Sequence, residues 1–205
     1  MIVRIDRYLT SIKDLLPVAA RADFDRALAG DALAARRLLI ASPKRLLGHI
    51  AFLGYQCKMG NPAYRALLKA VWQPKTRALL TEFWTPQVVR RMLARADFER
   101  PILYGPVTIF RPVEASARGA AAQLCWTRSR NIAISEALRI NPANPRIVQA
   151  TIAPTDILFF EDGGSEEIVP RSPPQAVTVQ SVYGGIGSEV ASAQDAGAGR
   201  RWSRR

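Results

Sequence analysis

The chain has 205 residues, of which 48% are hydrophobic and 22% are charged, and its formal net charge is +12. This length and composition are typical of a globular protein with one large or two small domains, and they exclude a disordered chain. No apolar stretch approaches the roughly twenty residues of a bilayer-spanning helix, and the first residues do not resemble a secretory signal, so we expect no membrane span.

The cysteine and histidine content argues against disulfide and metal chemistry. Cys57 and Cys125 are the two cysteines, and His49 is the one histidine. Two thiols far apart in sequence form neither a disulfide framework nor a metal-ligand motif. We therefore expect reduced thiols in a cytoplasmic protein, no metal site and no histidine-based catalytic set.

The charge is uneven along the chain. Residues 1–100 carry 18 Lys and Arg against 8 Asp and Glu, whereas residues 151–170 carry five acids and no base. Two interpretations of the basic half remain open. It is either a solvated surface in an arginine-rich protein or a surface that contacts a polyanion such as nucleic acid.

Proline and glycine divide the first hundred residues into helical segments. The predicted helices cover 5–16, 22–29, 32–40, a segment opening at Ser42-Pro43, a segment opening at Asn61-Pro62, 77–84, and a segment opening at Thr85-Pro86. Asp31 and the polar residue of each X-Pro pair are expected to be N-caps. One segment has an apolar stripe that predicts a central, buried helix. The stripe consists of Tyr64, Leu67, Leu68, Val71 and Trp72.

The helix predicted after Thr85-Pro86 has two different faces. Its apolar residues are Val88, Val89, Met92 and Leu93, and a polar row of Gln87, Arg91 and Arg95 follows at intervals of four. A solvated face is the more common meaning of such a row, and contact with phosphates is the alternative.

At Phe98-Glu99-Arg100-Pro101 the pattern changes from a helical period to strand-like alternation. We therefore predict an α+β protein with a helical domain over 1–100 and a second domain over 101–185. Residues 186–205 are rich in Gly, Ala, Ser and Arg and are expected to form a disordered basic tail.

The second domain is predicted to contain short strands around one helix. Strands are expected over 108–111, 147–152 and 176–183, with a strand edge at 125–129 and a further strand beginning at Glu166-Glu167. A helix is predicted over 131–140, with Ser129 able to cap it. The alanine-rich residues 115–122 are expected to form a loop.

Three pieces of this domain resemble the arginine, serine and glutamate motifs of the ADP-ribosyltransferase superfamily. They are Thr108-Ile109-Phe110-Arg111, Cys125-Trp126-Thr127-Arg128-Ser129 and Ser165-Glu166-Glu167-Ile168-Val169-Pro170. The second piece precedes a helix with two spaced alanines, Ala133 and Ala137, as it does in that superfamily. The resemblance covers about residues 101–183.

The resemblance implies a split β-sandwich that binds NAD in a cleft between two small sheets and cleaves the bond between nicotinamide and ribose. Nicotinamide is already a good leaving group as a pyridinium, and the transition state is an oxocarbenium-like ribose. The task of such an enzyme is therefore chiefly electrostatic.

The resemblance also implies roles for individual residues. Glu167 matches the catalytic glutamate, and side-chain alternation allows only one of Glu166 and Glu167 to point into the cleft. Arg111 matches the arginine that holds a phosphate of NAD, for which a planar guanidinium is suited. Thr127 matches a hydroxyl that positions the glutamate or the nicotinamide ribose, while Trp126 either walls the cleft or fills the core.

Two departures from the motifs leave the reaction open. Cys125 stands where the first serine of the triplet is expected, and Ser165 stands where members that orient an acceptor carry Glu or Gln. The chain is therefore expected to transfer ADP-ribose to a protein or nucleic acid, to act as an NAD glycohydrolase, or to be an inactive relative. A non-catalytic, basic nucleic-acid-binding module with a degenerate fold is the alternative.

Overall fold

The computed structural model describes residues 5–72, 84–99, 102–161, 166–183 and 189–192. The chain divides into two compact units, Met1–Phe98 and Glu99–Arg205. The described part of the first unit is helical, and that of the second unit combines helices with an antiparallel sheet. The prediction of an α+β fold, with helices first and strands second, is confirmed.

The first unit contains six α-helices within its described residues. They are α1 (Ile5–Asp14), α2 (Val18–Leu28), α3 (Ala32–Ala41), α4 (Leu47–Gln56), α5 (Asn61–Val71) and α6 (Pro86–Ala96). A 3₁₀ turn, Lys44–Leu46, precedes α4. The helix predicted over 77–84 falls almost entirely on residues outside the described ranges. None of the described helices has both the length and the hydropathy of a membrane-spanning segment.

Of the four N-caps predicted in the first unit, two are confirmed and two are wrong. Asp31 Oδ1 accepts the N–H groups of Leu33 and Ala34 at 2.9 and 3.0 Å, and Thr85 Oγ1 accepts that of Val88 at 3.4 Å. Ser42 instead ends α3, because Pro43 is extended (φ −56°, ψ 133°) and the chain turns helical only after it. Asn61 is likewise not a cap, since α5 begins at Asn61 itself, after Gly60.

The core of the first unit is built around α5, as predicted. All five residues of its apolar stripe are at most 1% exposed. Helix α4 approaches closely at Gly54, where a Cβ atom would lie 3.0 Å from Cδ2 of Tyr64. The absence of a side chain at Gly54 therefore allows these two helices to pack tightly.

Helix α6 uses some of its arginines in internal contacts. Arg95 donates from Nη2 to the Met59 carbonyl at 2.9 Å, and Arg90 is only 6% exposed. Arg65 of α5 donates to the carbonyls of Ala96 and Asp97 at the end of α6. Of the predicted polar row, Gln87 and Arg91 are exposed. The row is therefore only partly available to an external partner.

The second unit contains one antiparallel sheet of seven described strands. They are β1 (Val107–Pro112), β2 (Trp126–Thr127), β3 (Arg146–Ile152), β4 (Ile157–Glu161), β5 (Glu167–Pro170), β6 (Ala176–Ser181) and β7 (Glu189–Ser192), in the order β4-β5-β2-β1-β3-β6-β7. The resemblance implies two small sheets, whereas these strands are hydrogen-bonded into one. Strand β4 was not predicted from the sequence.

Strand β7 lies in the segment that was expected to be a disordered tail, and for these four residues the expectation is wrong. Its backbone pairs with β6 from Ala176↔Ser192 to Val179↔Glu189. Edge pairing needs main-chain hydrogen bonds rather than buried apolar side chains, so composition does not reveal it. The rest of the predicted tail lies outside the described residues.

Two described helices accompany the sheet. Residues predicted as a loop form helix α7 (Ala117–Ala122), because alanine is the strongest helix former. Ser116 caps this helix by accepting the Gly119 N–H at 3.0 Å. Helix α8 (Arg130–Ile140) begins after Ser129, whose Oγ accepts the Ile132 N–H at 3.4 Å. On one face of the sheet, Ala133 and Ala137 of α8 pack with Phe110 and Ile147. A larger apolar cluster covers the other face.

Candidate functional site

The strands that carry the three motifs are neighbours in the sheet, although they are far apart in the chain. Strand β2 lies between β1 and β5. Its Thr127 pairs with Phe110 on one side and with Glu167 on the other. Since directly opposed residues of antiparallel strands share a face, the side chains of Phe110, Thr127 and Glu167 lie in one row.

Glu167 is a buried carboxylic acid at the start of β5. Its exposure is 4%, whereas its neighbour Glu166 is half-buried. A carboxylate so far from solvent requires polar contacts, because burying an uncompensated charge is costly. Of the two adjacent glutamates, Glu167 is the one that lies within the sheet, and it is also the one that matches the motif.

The backbone before Glu167 is held in an unusual conformation. Glu166 has φ +44°, in the left-handed region that non-glycine residues rarely adopt. Its carbonyl accepts the Arg128 N–H at 3.1 Å. This bond extends the pairing of β2 with β5 by one step, and it fixes the point at which Glu167 enters the sheet.

The Thr127 hydroxyl is anchored where β2 passes into α8. Thr127 is 8% exposed, and its Oγ1 accepts the Ser129 N–H at 3.0 Å. Ser129 in turn caps α8. A short hydroxyl can replace a backbone acceptor at such a junction, which orients the side chain of Thr127 beside Glu167.

Arg111 and Trp126 leave the sheet on the opposite face from Thr127 and Glu167. Arg111 pairs with Val148, which belongs to the apolar cluster on that other face. Trp126 precedes Thr127 and is part of the same cluster, and successive side chains of a strand alternate between faces. The structure thus brings together Thr127 and Glu167, and it does not bring Arg111 to them.

Trp126 is a core residue. It is 2% exposed, packs with Ile109 and Ile168, and its buried Nε1 has no hydrogen-bond partner among the described residues. Of the two roles that the sequence left open for Trp126, filling the core is therefore the one observed.

Arg111 makes its contacts near the entry to β2. Its side chain is 16% exposed, and Nη1 donates a hydrogen bond to the carbonyl oxygen of Cys125. Its Nη2 lies 3.7 Å from Oε1 of the exposed Glu114. Ser165, the predicted acceptor-orienting residue, lies outside the described residues.

One polar residue of the row was not identified from the sequence. Glu161, at the end of β4, pairs directly with Glu167 of β5. The pairing extends the row to Phe110, Thr127, Glu167 and Glu161. The available signal was an apolar run, Ile157 to Phe160, that ends in an acid. Within the described residues, no group of three or more His, Cys, Asp or Glu is arranged to hold a metal ion.

Comparison of the chain with protein-family models, with curated proteins and with solved structures finds no match. The geometry of the site therefore carries the functional argument.

Proposed function

We propose that the second unit is an ADP-ribosyltransferase-like enzyme that cleaves the bond between nicotinamide and ribose in NAD. Its product is ADP-ribose attached to a protein or nucleic-acid acceptor, or released by water. The observation that carries the proposal is the pairing of Thr127 with the buried Glu167. These two residues come from two separate motifs of the resemblance, and they share one face of the sheet.

The reaction needs one well-placed negative charge. The bond between C1′ of the ribose and the pyridinium nitrogen breaks, and its electron pair leaves with neutral nicotinamide. Positive charge then develops on the ribose. Glu167 accepts a hydrogen bond from the 2′-hydroxyl and stabilises this charge, a type of contact that supplies several kcal/mol in glycoside cleavage. The acceptor's nucleophilic atom bonds to C1′ and its proton passes to solvent.

Thr127 serves in this proposal to orient the Glu167 carboxylate. Its anchor at Ser129 leaves little rotational freedom, and a preorganised carboxylate loses less free energy to reorganisation in the transition state. The burial of both residues adds to the effect, since electrostatic interactions are stronger away from water.

Arg111 and Trp126 have no direct contact with the ribose in this proposal. A dinucleotide bound beside Thr127 and Glu167 lies on one face of the sheet, and the side chains of Arg111 and Trp126 lie on the other face. An ADP-ribosyltransferase-like fold remains part of the proposal, with the motif strands in one sheet instead of the two sheets of a split β-sandwich. Its support is the adjacency of β1, β2 and β5, which carry the three motifs.

The nucleic-acid-binding alternative has less support, because several arginines of the first unit are engaged internally. Arg65 and Arg95 donate to backbone carbonyls, and Arg37 forms an ion pair with Asp23 at 3.0 Å. Such contacts reduce the basic surface that is available to phosphates.

The test is nicotinamide release from NAD by the purified full chain and by two matched variants. Glu167→Gln keeps the shape of the side chain and removes its charge, so we expect a loss of about 100-fold or more, the scale for removing one transition-state-stabilising group. Glu166→Gln makes the same change at the adjacent residue and should leave the rate close to that of the wild type. Absence of turnover by the wild-type chain, or equal rates for the wild type and Glu167→Gln, would overturn the proposal.

A further inference from the structure

We infer that Arg111 is a positioning residue, which ties β2 to β1 and thereby keeps Thr127 opposite Glu167. The inference rests on the proposed function only for its kinetic consequences. In this inference Arg111 stabilises the position of strand β2 and does not bind a phosphate of NAD.

Strand β2 needs such a tie because it is very short. It has two residues, and it meets β1 through the single pair Phe110↔Thr127. On its other side it pairs with β5 through Trp126↔Ile168 and Thr127↔Glu167. Backbone pairing alone therefore holds β2 weakly on the β1 side, and a side chain that crosses from β1 adds a substantial share of the contacts there.

Arg111 makes that crossing. Its guanidinium donates to the carbonyl of Cys125, the residue immediately before β2. Hydrogen bonds from a charged donor are roughly twice as strong as neutral ones. The low exposure of the Arg111 side chain, 16%, limits competition from water, and the Glu114 carboxylate at 3.7 Å balances part of its charge.

Only one residue separates Thr127 from Cys125, where the Arg111 hydrogen bond restrains the chain. That residue is Trp126, which is fixed in the core on the same face as Arg111. Beyond Thr127, the Arg128 N–H is held by the Glu166 carbonyl at 3.1 Å. The segment from Cys125 to Arg128 is thus fastened at both ends, by Arg111 at its start and by Glu166 at its end. Release of the first fastening allows Thr127 to shift relative to Glu167.

A phosphate-binding role makes a different demand on geometry. The guanidinium would have to face a dinucleotide that lies beside Thr127 and Glu167. Arg111 instead leaves β1 on the face of Ile109 and Val148. The two roles therefore predict different behaviour with a substrate that has no phosphate.

The kinetic experiment compares Arg111→Ala with the wild type, using NAD and nicotinamide riboside, which lacks phosphates. A positioning residue predicts that kcat falls by the same factor for both substrates, up to about 100-fold, the scale for small misplacement of reacting groups. A phosphate ligand predicts a raised KM for NAD and no effect with the riboside, and that result would overturn the inference. Arg118→Ala removes the same charge from an exposed position nearby and should leave both substrates unaffected.

A second measurement needs no turnover. Amide hydrogen exchange of Arg128 and Ser129 reports the docking of β2, and we expect faster exchange in Arg111→Ala while the β3 and β6 amides keep their protection. Unchanged exchange at Arg128 and Ser129 would overturn the inference, including in the case where the wild-type chain cleaves no NAD. If Arg111→Ala also loses protection in β3, the comparison is repeated with Arg111→Lys, which retains the charge but lacks the planar fork.

Discussion

Thr127 lies directly opposite Glu167 across β2 and β5, and the exposure of the two residues is 8% and 4%. A hydroxyl and a carboxylate in this relationship are neighbours on one face of the sheet. The register that pairs them also directs Arg111 and Trp126 to the other face. The pairing register of β2 with β1 and β5 therefore defines the site. Variants that disturb this register and variants that change Thr127 or Glu167 should have distinct effects.

The first prediction concerns the hydroxyl at Thr127. Thr127→Val retains the branched shape but removes the oxygen, so the Glu167 carboxylate loses its orienting neighbour and the Ser129 N–H loses its acceptor. Loss of a buried hydrogen-bonding group costs about 1–3 kcal/mol, and the same loss in the transition state corresponds to a rate loss of roughly 5- to 150-fold. Nicotinamide release measures the rate. Thr127→Ser keeps the oxygen and should retain most activity, and equal losses for both variants would contradict this role.

The second prediction concerns the close approach of α4 and α5. Gly54→Ala introduces a methyl group 3.0 Å from the Tyr64 ring, and it should destabilise the helical unit by about 1–3 kcal/mol through overpacking. At Gly60 a methyl group meets only the Gly30 Cα at 3.7 Å, in a conformation that alanine tolerates. Gly60→Ala should therefore be neutral or slightly stabilising. Urea denaturation of both variants provides the comparison, which fails if their midpoints coincide.

The third prediction concerns pH. Burial lowers the pKa of His49 below its usual value of 6.5, so the unfolded chain binds more protons than the folded chain once the pH falls below that value. The stability contributed by neutral His49 is thus present above pH 6.5 and is lost as the pH falls towards the lower, folded pKa. His49→Gln should flatten the dependence of stability on pH between about 7.5 and about 5, where His49 is the side chain expected to titrate. A variant whose slope matches that of the wild type would contradict the prediction.

The fourth prediction concerns the end of α6. Arg65 donates from Nε to the Ala96 carbonyl at 3.1 Å and from Nη2 to the Asp97 carbonyl at 2.6 Å. Arg65→Lys keeps the charge but replaces the fork with a single ammonium, and we expect a loss of up to about 1.5–3 kcal/mol, the range for hydrogen bonds that involve a charged group. Arg91→Lys makes the same substitution at an exposed position of α6 and should have little effect. Thermal denaturation of the two variants measures the difference.

Local chemistry made much of the fold predictable. The stripe on α5, the caps Asp31 and Thr85, and the helix after Ser129 all depend on spacing or on side chains that act within one turn. Such signals are contained in a few consecutive residues, so the sequence alone is enough to identify them.

The features that were not predicted depend on distant pairing. Strand β2 was expected only as a strand edge, because two residues are too few to show a period, and β7 is held by the backbone of β6. The direction of Arg111 depends on register, because a shift of one residue moves every side chain of a strand to the other face. The three motifs lie on strands that are neighbours in the sheet, but only the pairing Phe110↔Thr127 shows which face each motif residue occupies.

The brevity of β2 also has a consequence for stability. The β1 and β3 strands pair over six residues, whereas β2 has only two residues to pair. The sheet is therefore narrowest at β2, between the β4–β5 pair and the four-stranded part formed by β1, β3, β6 and β7. Few main-chain hydrogen bonds join the two parts, and local opening costs least free energy where such bonds are sparse. On warming, the β4–β5 pair should part from the four-stranded part before either of them melts. The break should fall at the single β1–β2 pair, so that Thr127 leaves Phe110 in a molecule that still retains most of its secondary structure.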